Sequence, residues 1–398
     1  MSFRRLLTPR ILYPVDQHSL LMSHFEMDST STLPTTASER AARSSQPASQ
    51  NASKRISRPP AANARVAGMP SNASAKEMML RLSAPVSAEL LAVEQRLAQE
   101  LRSPHEELVA VLQHGTQLGG KRLRPALLLL TGAAVGSLGS DHVLLASVVE
   151  MVHTATLIHD DVLDQAETRR HVATINARWN EHTSILVGDY LFAQSFRLAA
   201  TLSSTQACQM VGEAARLVCE GELRQVLSRD ALNVSEEDYF AMIRGKTAEL
   251  CRVSCELGAT YSQGVKTTVE AMGRYGDALG IAFQIADDFL DLWGDDNTVG
   301  KTLGTDIQQG KMTLPLIRLR DTMAVPQWDE ICKILTGPAV DRLDAVMPFL
   351  HQSDARWYTR RVAESFRERA IRSLDCLPES EAKRSLVELA KFSVDRRF

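Results

Sequence analysis

The sequence predicts an all-α protein, and three observations carry that expectation. Aliphatic residues recur at helical spacing through long runs, as in DHVLLASVVEMVHTATLI. Aromatic content is only 5%. Two acidic runs, DDVLD and DDFLD, each close an apolar stretch of helical length. With 398 residues and 44% hydrophobic content, the chain can fill one large core or two smaller ones. A net charge of −3 gives no global bias towards nucleic acid. The six cysteines form no CxxC pair and no zinc spacing, so reduced, packed thiols are expected. No uninterrupted apolar span of transmembrane length is evident.

Two parts are expected: residues 1–80 as a disordered extension or targeting segment, and residues 81–398 as one folded domain. The first part is rich in Ser, Ala, Pro, Asn and Arg, too poor in large apolar side chains to offset chain entropy. Its basic residues (among them Arg4, Arg5, Arg40 and Arg43) outnumber the acids Asp16, Glu26, Asp28 and Glu39, as in a mitochondrial transit peptide. Pro9, Pro14 and Asp16 break any amphipathic helix at the start. That favours a plain extension, or a start at Met22, Met27, Met69 or Met78, and a cytoplasmic location over the mitochondrial matrix.

The folded part is expected to open near Ser83 with two amphipathic helices, SAPVSAELLAVEQRLAQELRS and HEELVAVLQHGTQL. GGKRLRP follows. Gly119 and Gly120 permit a tight turn, and Pro125 suits the first position of the next helix. Lys121, Arg122 and Arg124 then stand at a helix N-terminus, where charge, free N–H groups and the dipole together attract anions.

The next helix carries the first acidic run. At about 100° per residue, His153 and Asp160 lie roughly 20° apart and Asp160 and Asp164 roughly 40° apart. One stripe thus bears an imidazole and two carboxylates, with Asp161 beside it. A solvated acidic face is the plainer reading, but the apolar flank VVEMVHTATLI buries this helix, and buried acids need a partner. Mg²⁺ shared with phosphate oxygens supplies one. His159 next to Asp160 also suits a metal phosphohydrolase, but His171 and His182 sit in no recognisable second metal helix. Arg169 and Arg170 suit bidentate phosphate contacts.

TINARWNEHTSILVGDYLFAQSFRLAATL is expected as a long helix or helix pair, and STQACQMVGEAARLVCEGELRQVLS as another helix. Ser235 N-caps the next, with Asp238 completing an approximate capping box. Gly245-Lys246-Thr247 interrupts that helix. A mid-helix lysine is usually a snorkelling surface residue. The second acidic run then places Asp287, Asp288 and Asp291 at the spacing of the first, with Gln284 one turn before Asp287. A polar, Gly-rich loop follows with the cation candidates Lys301 and Lys311, and Thr313-Leu314-Pro315 starts a further helix. The remaining helices read as scaffold.

From about residue 85 onward, GGKRLRP, DDVLD, the RR pair, GKT, DDFLD and GKTLGTD resemble, in order, the blocks of the trans-isoprenyl diphosphate synthases, the polyprenyl synthetase family. The long-chain members, such as octaprenyl and solanesyl diphosphate synthases, are the nearest in kind. The resemblance implies a single-domain helical bundle of the isoprenoid synthase type, with ten or more core helices around a central cavity. It implies a homodimer and peripheral membrane contact for product release, with no nucleic-acid partner. The substrates would be isopentenyl diphosphate and an allylic prenyl diphosphate. Three Mg²⁺ ions would be held by Asp160, Asp161, Asp164, Asp287, Asp288 and Asp291. By the same resemblance, Lys121, Arg124, His153 and Arg170 would bind isopentenyl diphosphate. Arg169, Lys246, Thr247, Gln284 and Lys301 would attend the allylic diphosphate, with Lys246 counted among the catalytic groups alongside Asp160, Asp164 and Asp287. Where the family usually has Gly, this chain has His171.

The implied reaction is ionisation of the allylic diphosphate, attack by the isopentenyl double bond, and loss of a proton to the departing diphosphate. Ala155 and Thr156 lie five and four residues before Asp160, about 6 to 7.5 Å deeper along the helix. Bulky aromatics there block the tail in short-chain members. Small residues here predict a long product, C30–C50, as in quinone side chains. The alternatives are a farnesyl- or geranylgeranyl-length synthase, a class I terpene cyclase, and a non-catalytic subunit of a heteromeric synthase. The second DDxxD and GGKRLRP oppose a cyclase, and the intact aspartates oppose a dead subunit.

Overall fold

The computed structural model describes residues 72–117, 120, 122–169, 172–294 and 303–395. Within them the chain is helical apart from one short antiparallel ladder, as aliphatic periodicity leads one to expect. Helix α1 (Asn72–Leu82) comes first. It crosses the expected boundary at residues 80/81, because Met79 and Leu82 are core residues. α2 (Ser87–Glu100) and α3 (Glu106–Gln117) match the two amphipathic helices.

α4 (Leu123–Val135) begins two residues earlier than Pro125 implied. Arg122 takes a left-handed conformation, φ 54°, and its carbonyl accepts from the Ala126 N–H at 3.0 Å. Pro125 therefore occupies the third helical position, still inside the turn whose N–H groups lack helical partners. From Pro125 to Gly132, α4 is wholly buried.

α5 (Ser140–Leu163) carries the first acidic run. It has the length and composition of a membrane span, yet most of it is packed inside the bundle. The ladder pairs β1 (Thr168–Arg169) with β2 (Val172–Ala173), Thr168 opposite Ala173. The following stretch is a helix pair, α6 (Ile175–Arg178) and α7 (Glu181–Ala199), split where Asn180 caps the second through the Thr183 N–H at 2.8 Å.

α8 (Gln206–Leu227) and α9 (Glu236–Ile243) follow. Ser235 and Asp238 close the reciprocal box, the shorter aspartate still reaching the Ser235 N–H at 3.2 Å. Residues Arg244–Ala248 then form one π-helical turn before α10 (Glu249–Tyr261). The expected interruption at Gly245-Lys246-Thr247 is thus a local widening of a continuous helix, a device frequent at functional sites. α11 (Lys266–Trp293) carries the second acidic run. α12 (Thr305–Gln308), α13 (Leu314–Thr322), α14 (Val325–Leu335), α15 (Arg342–Gln352), α16 (Ala355–Ser373) and α17 (Glu381–Val394) complete the bundle.

The core is one continuous set of mostly aliphatic side chains, with α4, α5, α10 and α11 at its centre. All six cysteines are unpaired, and Cys251 and Cys255 are buried in it.

Candidate active site

α8 and the π turn touch backbone to backbone. A Cβ on Gly221 would lie 2.5 Å from the Lys246 nitrogen, and one on Gly245 would lie 2.8 Å from the Leu217 carbonyl. Two glycines at the crossing permit that approach. The closeness sets Lys246 Nζ 2.7 Å from Glu222 Oε1 and 3.6 Å from Asp160 Oδ2. Burial works against the ammonium, but Asp160 and Glu222 outweigh it and raise the Lys246 pKa. Burial and the Asp160 charge push Glu222 up in turn, with Lys246 pulling it back. Lys246 is therefore an interior cation, not a snorkelling one.

The two acidic runs are joined by two lines of side chains. In the first, Asp160 faces Lys246, the adjacent Thr247 donates to Gln284 Oε1 at 2.7 Å, and the Gln284 amide donates to Asp288 Oδ1 at 2.8 Å. In the second, Lys311 Nζ lies 3.9 Å from Asp164 and 3.5 Å from Asp306. Asp291 accepts from the backbone N–H groups of Thr305 and Asp306, at 3.2 and 3.1 Å, and so caps α12. Lys246, Gln284, Asp288, Asp306 and Lys311 line one pocket with Tyr239 and Thr313. Asp160 and Asp287, each half-buried, stand at the ends of α5 and α11 that flank it.

The second aspartate of each run is turned into the protein. Asp161 is 2% exposed and accepts from Arg169 Nε at 2.9 Å. Burial raises its pKa, with the Arg169 guanidinium acting against the rise. Asp288 is 4% exposed and accepts from the Tyr239 hydroxyl at 2.6 Å. Burial first, then the Asp306 charge, push it up to about 8, while Tyr239 and Gln284 oppose the rise. Helical geometry accounts for the division: a residue next to Asp160 or Asp287 points about 100° away. Asp161 and Asp288 act here as anchors, and Arg169 holds an aspartate.

At the other end of the α5 stripe, Arg124 Nη1 donates to His153 Nε2 at 2.9 Å. Arginine has no acceptor, so the imidazole keeps its proton on Nδ1. Arg122 turns away from this pair and bridges Glu94 and the buried Glu150, the latter at 2.6 Å. It fixes the loop and is not a free anion ligand. Lys121, Arg170 and Lys301 lie outside the described residues, as does the His171 departure. Ala155 is fully buried; Thr156, half-buried on the Asp160 stripe, donates to the His153 carbonyl at 2.8 Å.

Sequence reasoning missed Arg229, which donates to Asp164 Oδ1 at 2.8 Å, and also Tyr239, Asp306 and Glu150. Arg229 follows α8 in a turn with no periodic signal. Tyr239 reads as an ordinary core aromatic. Glu222 reads as one more charged residue of an amphipathic helix.

The donors fit hard divalent cations. Carboxylates from both runs converge, and the buried Asp161 Oδ2 has no hydrogen-bond partner among the described residues. Asp160 meets Lys246, and Asp164 meets Lys311, beyond hydrogen-bonding distance. No three acidic, histidine or cysteine side chains among the described residues form a cage by themselves. Mg²⁺ takes one or two carboxylates and completes its shell with water and substrate phosphate.

A family model described as Polyprenyl synthetase matches residues 105–345. The all-trans-nonaprenyl-diphosphate synthase (geranyl-diphosphate specific) of Rhodobacter capsulatus is 35% identical over 314 residues, covering 79% of this chain and 96% of its own. Among solved structures, a decaprenyl diphosphate synthase from Rhodobacter capsulatus superposes with a TM-score of 0.76 at 34% identity, over 80% of this chain and 99% of that one. A polyprenyl synthase from Caulobacter crescentus, complexed with calcium and isoprenyl diphosphate, gives 0.75 at 33% identity, over 81% and 98%.

Proposed function

The chain belongs to the polyprenyl synthetase family and is a prenyl diphosphate synthase, and from that premise we propose that it extends an allylic prenyl diphosphate with isopentenyl diphosphate to a long-chain (C30–C50) all-trans product for quinone side chains. The observation that carries this reading is the convergence of Asp160 and Asp164 with the second acidic run through Lys246 and Lys311.

Asp160, Asp164 and Asp287 would hold Mg²⁺, with Asp291 able to join them by releasing the α12 cap. The ions would neutralise charge on the leaving diphosphate, the largest usual term in such a reaction. The chain's own groups do the rest. Lys246, Lys311 and Arg229 are cations already facing the first-run aspartates, placed to transfer their contacts to phosphate oxygens. Arg124 and His153 hold the second diphosphate one helix away, with the α5 stripe between the two substrates. Glu222 keeps Lys246 extended into the pocket. Thr156 and Ala155 stand deeper on α5, where the growing tail would pass.

We further propose a homodimer, a peripheral membrane contact for product release, and a cytoplasmic location, with residues 1–80 an extension or targeting segment. Purified full-length chain with farnesyl diphosphate, labelled isopentenyl diphosphate and Mg²⁺ tests the reading. Products of C30–C50, absent when Mg²⁺ is chelated, support it. No condensation sinks it, and C15–C20 products alone remove the long-chain part.

A further inference from the structure

A surface remote in sequence from this chemistry carries a charge pattern that the reaction does not use. On α16 the exposed positions recur in four-residue steps and include Arg356, Arg360, Arg361, Arg369 and Arg372. Only Glu364 and Glu368 stand against them on that face. The stripe therefore carries a net charge of about +3, although the chain as a whole carries −3. Glu364 pairs with Arg360 at 3.0 Å, and Glu368 reaches Arg372 only at 4.0 Å. Arg356, Arg361 and Arg369 make no ion pair among the described residues and lie instead over Phe289, Trp357 and Phe366.

Trp357 stands near the N-terminal end of the stripe with 62% of its surface exposed, beneath the Arg361 guanidinium at 5.7 Å. Past Arg372 the stripe borders a groove between α11 and α16. There Arg274, also without an ion pair among the described residues, joins Arg369 and Arg372. The groove is also lined by Arg252, Glu256, Glu270, Asp277 and Asp375, of which Glu256 pairs with Arg252 and Asp277 with Arg244 outside the lining.

Guanidinium groups around an exposed indole are a combination that binds a bilayer surface. Arginine meets lipid phosphate, and tryptophan settles at headgroup depth. We propose that the outer face of α16 docks on anionic lipid, seating headgroup phosphates along Arg356, Arg360, Arg361 and Arg369 with Trp357 inserted between them. This rests on the functional reading, whose product is a lipid, and gives the membrane contact a definite address. The occupant is a bilayer because a stripe running the length of a helix, with one large aromatic at headgroup reach, matches an extended anionic plane.

The test uses the full chain and vesicles of phosphatidylcholine with and without phosphatidylglycerol. The chain should pellet with the anionic vesicles, dissociate in high salt, and show a blue shift of indole emission that W357F abolishes. R360Q/R361Q/R369Q should weaken binding on the order of a hundredfold, at about tenfold or less per charge. Its circular dichroism and its condensing activity in detergent should match the parent's. Anionic-vesicle binding that survives these substitutions overturns the proposal. Equal, equally sensitive retention on RNA in place of lipid does so too. Loss of vesicle binding with activity intact leaves the functional reading standing, whereas vesicle binding without any condensation removes that reading and keeps the docking face.

Discussion

The Tyr239 hydroxyl donates to Asp288 Oδ2 across 2.6 Å, with both side chains almost wholly buried. That single bond ties α9 to the second acidic run. Asp288 also takes the Gln284 amide, so its two oxygens are both engaged. Asp287, its half-buried neighbour on α11, stands about 100° away around the helix.

Removing that hydroxyl should loosen the run without deleting a ligand. Tyr239→Phe leaves a buried carboxyl short of one donor, at a cost of about 1–3 kcal/mol. We expect a lower thermal midpoint and a roughly tenfold rise in the Mg²⁺ concentration needed for half-maximal activity, measured by magnesium titration of the condensation rate. An unchanged titration would mean that Asp288 does not set the posture of Asp287.

Lys246 should matter far more to rate than to folding. Lys246→Met leaves Asp160 and Glu222 facing each other with no cation between. The predicted loss in kcat is on the order of a hundredfold, the scale of removing one charge-stabilising group. Single-turnover rates with saturating substrates would measure it.

Product length should respond at two adjacent positions in different ways. Thr156 lies on the Asp160 stripe, so Thr156→Phe intrudes where the tail would run. Ala155 is fully buried, so Ala155→Phe must also displace packed core at about 1–3 kcal/mol. Both substitutions should shorten the product, and only Ala155→Phe should lower the thermal midpoint markedly. Chromatography of dephosphorylated products checks the first outcome and thermal unfolding the second.

Stability should fall in mild acid through His142. Its ring is buried, Nδ1 accepts from the Gly139 N–H at 3.1 Å, and Nε2 faces Ser262 Oγ at 2.9 Å. Burial pushes its pKa below the ordinary 6.5. The unfolded chain therefore takes up the proton first as pH drops. The stability is complete above about pH 6.5 and is lost as pH falls through the folded-state value. Urea midpoints from about pH 7 down to about pH 5 should decline in the parent. His142→Gln should start lower, by about 1–2 kcal/mol for its lost bonds, and decline less steeply.

The primary structure determined a good deal here. Aliphatic period and capping residues fixed the helices, because both act over a few neighbouring positions. The spacing of Asp160 with Asp164, and of Asp287 with Asp291, put each pair on one helical face for the same reason. Local pattern also marked Gly245-Lys246-Thr247 as a break, though not as a π turn.

What only the tertiary structure decided were the pairings across helices. Which aspartate of each run faces inward depends on Arg169 and Tyr239, brought from other elements. Lys246 became an interior cation because two glycines let α8 and the π turn meet, and Arg229 reached Asp164 from a turn with no pattern of its own. Such contacts join residues tens of positions apart, and their geometry is set by how whole helices pack, which no short window of sequence contains.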